Sequence, residues 1–145
     1  MENIMKFLTP KSKTAFIEND STVRQALEKM RHHGFAALPV IDSEGKYVGT
    51  LTEGDFLWHM IDSKKVDLYS LESEPIAGLI RADWNPPVRA GATMTDLVEK
   101  VKERNFAPVV DDRGCFIGLI TRRDVLSYFA RCAERMAAQK EESAL

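Results

Sequence analysis

Pro39-Val40-Ile41-Asp42-Ser43-Glu44-Gly45-Lys46-Tyr47-Val48-Gly49-Thr50-Leu51-Thr52-Glu53-Gly54-Asp55-Phe56-Leu57 is matched without a gap, 69 residues later, by Pro108-Val109-Val110-Asp111-Asp112-Arg113-Gly114-Cys115-Phe116-Ile117-Gly118-Leu119-Ile120-Thr121-Arg122-Arg123-Asp124-Val125-Leu126. Eight of the 19 positions are identical, which identifies two copies of one supersecondary unit. Each copy reads as a short apolar strand (38–41 and 107–110), an Asp/Gly hairpin turn (42–45 and 111–114) and a returning strand (47–51 and 116–120). A helix then opens at Thr52 or Thr121. Asp55 and Asp124, three residues after each Thr, complete capping boxes.

Upstream the copies agree again, at an offset of 71. Thr22 with Gln25, and Thr93 with Asp96, make two more helix starts. Val23, Ala26, Leu27 and Met30 follow at helical spacing, as do Met94, Leu97, Val98 and Val101. Gly34 and Asn105 stand where a left-handed stop is wanted, and Phe35 and Phe106 come next. The change of offset makes the second copy two residues shorter between helix and strand. Extended segments are expected over 14–18 and 85–89, the latter because Pro86-Pro87 excludes helix. A polar stretch, 62–74, joins the copies. Ser73 and Pro75 start a short helix through Ile80. The tail from 131 onward continues the last helix and frays at 140–143.

The 145 residues fit one compact domain or two very small halves. A chain this size buries ~70% of its unfolded surface, so it needs neither disulfide nor metal. Twenty basic against 22 acidic residues, with no block of either sign, argue against a nucleic-acid partner. No apolar run nears the ~20 residues of a membrane span. The opening Met1-Glu2-Asn3-Ile4-Met5-Lys6 lacks a signal-peptide pattern. Cys115 and Cys132 suit a reducing interior as small buried hydrophobes. The expectation is a soluble, cytoplasmic protein.

Both copies carry Pro-Val-x-Asp-x-x-Gly-x-x-x-Gly-x-x-Thr-x-x-Asp, in register and behind matching helices. This pattern resembles the CBS domain in its tandem, Bateman-module arrangement, over about residues 4–137. The resemblance implies an α/β (α+β) fold of two repeats, 1–70 and 71–145. Each would be a small three-stranded sheet with two helices, the pair being pseudo-two-fold related. It also implies a stand-alone, non-catalytic regulatory pair, with no cofactor but with an adenine nucleotide as ligand. The chain looks most like small bacterial CBS proteins that bind cyclic di-AMP. Pairs that bind AMP, ATP or S-adenosyl compounds stay open beside it, as does a structural dimerisation module without a ligand. An unidentified effector protein would read the signal. A homodimer would form through Phe56, Met60, Tyr128, Phe129 and Cys132.

The residues themselves suit a nucleoside phosphate. A Thr at a helix start offers a hydroxyl beside unpaired N–H groups, and an Asp nearby accepts from vicinal sugar hydroxyls. Arg122 and Arg123 can hold phosphate, where the first copy has Glu53 and Gly54. Carried over from CBS pairs, Thr121, Arg122, Arg123 and Asp124 face Lys13, Thr14 and Ala15 together with Phe35, Ala36, Ala37 and Pro39. Lys13 would add charge, and Phe35 a face for adenine. A second, weaker cleft sets Thr52, Glu53 and Asp55 against Pro87, Val88, Asn105, Phe106 and Pro108. Each has a plainer reading: boxes that only close helices, solvated arginines, and core phenylalanines. His32, His33 and His59 lack metal-ligating spacing, so no metal site is expected. No nucleophile–base set suggests catalytic residues. Trp58 and Trp84 read as packing residues, Trp84 also being placed to cover the second cleft.

Overall fold

The computed structural model describes residues 3–65, 67–81 and 83–144, and of Leu68 only the backbone. Met1 and Glu2 of the chain start, Val66 of the joining stretch, and Leu145 of the tail lie outside it, as does Ala82. The duplication read from the sequence is present in three dimensions. Strands β1 (Thr9–Pro10) and β2 (Ile17–Glu18) lead to α1 (Val23–His33), β3 (Ala37–Ile41), β4 (Tyr47–Thr52) and α2 (Glu53–Ser63). After the short α3 (Leu68–Leu71) come β5 (Val88–Arg89), α4 (Met94–Glu103), β6 (Phe106–Val110), β7 (Phe116–Thr121) and α5 (Arg122–Ala144).

Local chemistry explains the helices. Reciprocal capping boxes start α1 at Thr22/Gln25, α2 at Thr52/Asp55 and α4 at Thr93/Asp96. The buried face of α1 is Val23, Ala26 and Met30, and its stop is Gly34 at φ 70°. Such a positive φ costs a glycine little. The hairpins β3–β4 and β6–β7 repeat one register, and each slips by one residue at the same place, after Val40 and after Val109. Parallel strands β2 and β5 flank β3 and β6. The hairpin turns join the copies: the Tyr47 N–H donates to Gly114 O (3.1 Å) and the Phe116 N–H to Gly45 O (2.8 Å).

The sheets are not both three-stranded. The first is β2-β3-β4, but the second has four strands in the order β1-β7-β6-β5. Strand β1 crosses from the first copy and pairs antiparallel with β7, Thr9 opposite Leu119. Ile4 and Phe7, just before it, are buried with Val88, Leu97, Val109, Ile120 and Val125 in the second core. Burying two such side chains is worth about 3–6 kcal/mol, enough to hold the arm across. The first core is built around Ile17, Val23, Val40, Leu51 and Phe56.

Other expectations are corrected here. The extended segments shorten to Ile17–Glu18 and Val88–Arg89. The helix after Pro75 is a 3-10 turn, Ile76–Leu79. Asn105 does not adopt the left-handed conformation, since Lys64 alone among the described non-glycine residues has a positive φ. The shorter second copy passes directly from α4 into β6. Residues 140–143 remain helical. Cys115 and Cys132 are free and half-buried rather than core residues. In the expected dimer seam, Phe56 is a core residue at 1% exposure. Tyr128 packs edge-on against Phe7 of its own chain, at 5.2 Å. Phe129 of that seam is exposed, and the other exposed large apolar positions on α2 and α5 are Leu57, Trp58, Ile61, Leu126 and Met136. Among the described residues no helix is long and apolar enough to cross a membrane.

Candidate functional site

The two helix starts differ in what their carboxylates do. Asp55 Oδ2 accepts from the Thr52 N–H (2.8 Å) and the Thr52 hydroxyl (3.0 Å). Its Oδ1 lies 2.8 Å from Arg81 Nε, and the side chain is only 7% exposed. Asp124 gives its N–H to Thr121 Oγ1 at 3.1 Å. Its exposed carboxylate has no hydrogen-bond or ion-pair partner among the described residues. Each helix also has its first N–H taken: Glu53 donates to Ala36 O (2.9 Å) and Arg122 to Asn105 O (2.8 Å). The helix starts therefore offer fewer free donors than the sequence suggested.

Arg122 is engaged by the fold. Its Nε donates to Val101 O (2.6 Å) and its Nη2 to Lys102 O (3.3 Å). With no left-handed residue after α4, the last helix carbonyls lack backbone donors. A guanidinium supplies them at the negative end of the dipole. Arg123 is exposed. Thr121, Arg122 and Arg123 line a cavity of about 400 Å³ with Leu126, Ser127 and Asn105, the last of which had been expected in the other cleft. Asp124 does not line it. On α4, burial and the neighbouring Arg104 pull the Lys100 ammonium below its usual range.

The facing residues are dispersed along the arm and β3. The turn Lys11–Lys13 packs against β7. Thr14 is held by its own turn, its N–H and hydroxyl both donating to Lys11 O. Lys13 is exposed, and Ala15 packs on the first core. Ala36 is exposed, Ala37 lies opposite Thr52, and Pro39 is buried in mid-strand opposite Thr50. Phe35 departs from the core reading. It is 54% exposed and stacks on His33, ring centroids 6.5 Å apart. It lines a groove of first-copy residues with Arg31, Glu53 and Leu57, not the arginine cavity. The left-handed Gly34 turns the chain so that Phe35 leaves the sheet.

In the second cleft, Val88, Phe106 and Pro108 are buried strand residues. Pro87 and Val88 line a cavity of about 720 Å³ with Arg89, Asp96, Asp111 and Asp112, three carboxylates against one guanidinium. What meets Asp55 is Arg81, which bridges to Thr50 on β4. Trp84 lies between two guanidinium groups, Arg81 at 4.7 Å and Arg104 at 4.2 Å from its ring centroid. Arg104 Nε also donates to Trp84 O at 2.9 Å. Tyr47 Oη donates to Asn85 O and lies the same 2.7 Å from Thr50 Oγ1. The buried Asn85 reaches Phe106 O from Nδ2 at 3.4 Å. Trp58, expected to pack, is 62% exposed. It borders a cavity of about 540 Å³ with Gly54, His59, Asp62 and Arg81.

Sequence reasoning missed Tyr47, Thr50, Arg81, Asn85 and Arg104. Tyr47 and Thr50 carried a signal: the second copy has Phe116 and Leu119 there. Arg81 carried none, because only strand pairing shows that it matches Thr9.

Burial pushes the Tyr47 phenol up to about 12, against the opposing pull of its Thr50 hydrogen bond. Its contribution to stability is therefore complete below pH ~10 and is lost as pH rises through about 12. By pH 11 the loss is roughly 1.4 kcal/mol. Urea unfolding at pH 9 and pH 11 should show Tyr47→Phe losing less than the parent by that amount. Equal losses would contradict the buried-phenol account.

A family model described as CBS domain matches residues 8–62 and 82–131. A CBS domain-containing protein of Dictyostelium discoideum is 26% identical over 140 residues, spanning 88% of this chain and 93% of that protein. Inosine-5'-monophosphate dehydrogenase of Methanocaldococcus jannaschii is 28% identical over 110 residues, and there the match spans 76% of this chain but 20% of the enzyme. Among solved structures, CbpB in complex with c-di-AMP superposes with a TM-score of 0.86 at 22% identity, covering 95% of this chain and 91% of that one. CbpB from Streptococcus agalactiae superposes with a TM-score of 0.80 at 23% identity, covering 91% and 82%.

Proposed function

The chain belongs to the CBS-domain family, and from that premise we propose that it is a non-catalytic sensor holding an adenine nucleotide at the start of α5. The observation that carries this reading is the Asp124 carboxylate, exposed and without a partner among the described residues, where its counterpart Asp55 is fully engaged. A ribose diol is a natural occupant for such a carboxylate. Arg123 and Lys13, both exposed, supply positive charge for phosphate, and the Thr14, Ala15, Ala36, Ala37 and Pro39 backbone supplies the base edge. Arg122 contributes its charge from its helix-closing position. Cyclic di-AMP is the first ligand to test, because CbpB structures of this fold contain it.

Binding would signal by population shift. A ligand joining the crossing arm to α5 stabilises the arrangement it binds better, and an effector protein reads the difference. A second copy is the proposed cover for the apolar positions on α2 and α5, as expected for a homodimer.

The test is a melting panel with AMP, ADP, ATP, S-adenosylmethionine, cyclic di-AMP and cyclic di-GMP. An adenine nucleotide at a hundredfold excess over its Kd should stabilise by about 2.7 kcal/mol. That raises the midpoint by roughly 5–10 °C. A panel in which no adenine compound moves the midpoint would remove the sensor reading and leave a structural module.

A further inference from the structure

We propose that Arg81 is a resident counter-ion that closes the first-copy cleft to nucleotide, so that each chain takes one nucleotide rather than two. The ligand class rests on the reading of the Asp124 cleft above; the closure rests on separate observations. Both oxygens of Asp55 are spent. Oδ1 faces Arg81 Nε at 2.8 Å, and Oδ2 accepts twice from Thr52. A ribose diol needs that carboxylate, and at 7% exposure the side chain has little surface left to offer.

The cation is placed by the fold. Arg81 bridges to Thr50, as Thr9 pairs with Leu119, and Thr50 and Leu119 are equivalent positions of the two copies. Arg81 is therefore the structural counterpart of Thr9. The second copy has a neutral hydroxyl where the first has a guanidinium, and Asp124 has no partner there among the described residues. Trp84 stacks against Arg81, and Arg104 of the second copy anchors Trp84 through its carbonyl and its ring. On the strand side, Tyr47, Thr50 and Asn85 bond among themselves, where the second copy has Phe116, Leu119 and Thr14. A nucleotide entering the first cleft would have to break an ion pair whose carboxylate is nearly buried, and an anchored stack, together. One entering the second would break neither.

Calorimetric titration of the full chain, with AMP and separately with cyclic di-AMP, tests this. The proteins compared are the parent, Arg81→Thr, and Arg81→Thr/Asp55→Asn. The expected stoichiometry doubles in Arg81→Thr and returns to the parent value in the double variant. Arg81→Gln, which keeps bulk and removes charge, is titrated alongside and should also double if Arg81→Thr folds poorly. A parent that binds nothing, with a variant that does, sustains the closure while removing the Asp124 reading. Variants that bind no more than the parent overturn the closure. A drop below the parent identifies Arg81 as a phosphate ligand instead. No binding by any of the four overturns both.

Discussion

Gly118→Ala is expected to lower stability by about 3 kcal/mol. Gly118 sits on β7 at φ 152°, a backbone region unfavourable to side chains. A Cβ there would lie 2.2 Å from Thr9 O and 3.0 Å from Pro10 Cα, both backbone atoms of the crossing strand. Neither can rotate away, so β1 must lift from β7. The melting midpoint should fall by roughly 10 °C. Slow exchange of the Thr9 amide should be lost with it. Gly49 is the control. Its Cβ would meet Ile80 Cγ2 at 2.6 Å, the end of a side chain that can turn. Gly49→Ala should cost about 1 kcal/mol. A Gly118→Ala protein that melts within 2 °C of its parent would mean that β1 does not lie where it is described. Because the arm carries Lys13 and Thr14, nucleotide affinity should fall too.

The second large effect is on binding and not on stability. Asp124→Asn should weaken the adenine nucleotide by roughly 150-fold. Two hydrogen bonds to a charged acceptor contribute about 3 kcal/mol together, and 1.4 kcal/mol is a factor of ten. The unliganded protein should keep its stability within about 0.5 kcal/mol of the parent, since the carboxylate has no partner to lose among the described residues. Affinity and stability thus separate cleanly at this position. A variant that binds as tightly as the parent would remove Asp124 from the site.

The Pro-Val-x-Asp repeat and its turn residues were enough to place β3, β4, β6, β7 and the helices that follow them. Those elements depend on neighbours within about twenty residues: capping boxes, a left-handed glycine and alternating apolar positions. The candidate site was legible only in part. The repeat marks Thr121 and Asp124, and the sequence leads to an expectation of unequal clefts from Arg122 and Arg123 against Glu53 and Gly54. Arg122 closes α4, a role visible only once the shortened connection leaves Val101 and Lys102 carbonyls without donors. Phe35 is not a core residue, because side-chain direction after the left-handed Gly34 is a three-dimensional property.

By itself the amino-acid sequence determined a duplicated unit, its local elements and the residue types at both helix starts, since these follow from short-range sterics and hydrogen bonding. Only the tertiary structure decided which sheet receives the N-terminal arm, and that Arg81 rather than a hydroxyl meets Asp55. Both outcomes depend on strand pairing between segments more than 30 residues apart. Insertions between those segments erase the matching offset, so no local pattern records the partnership.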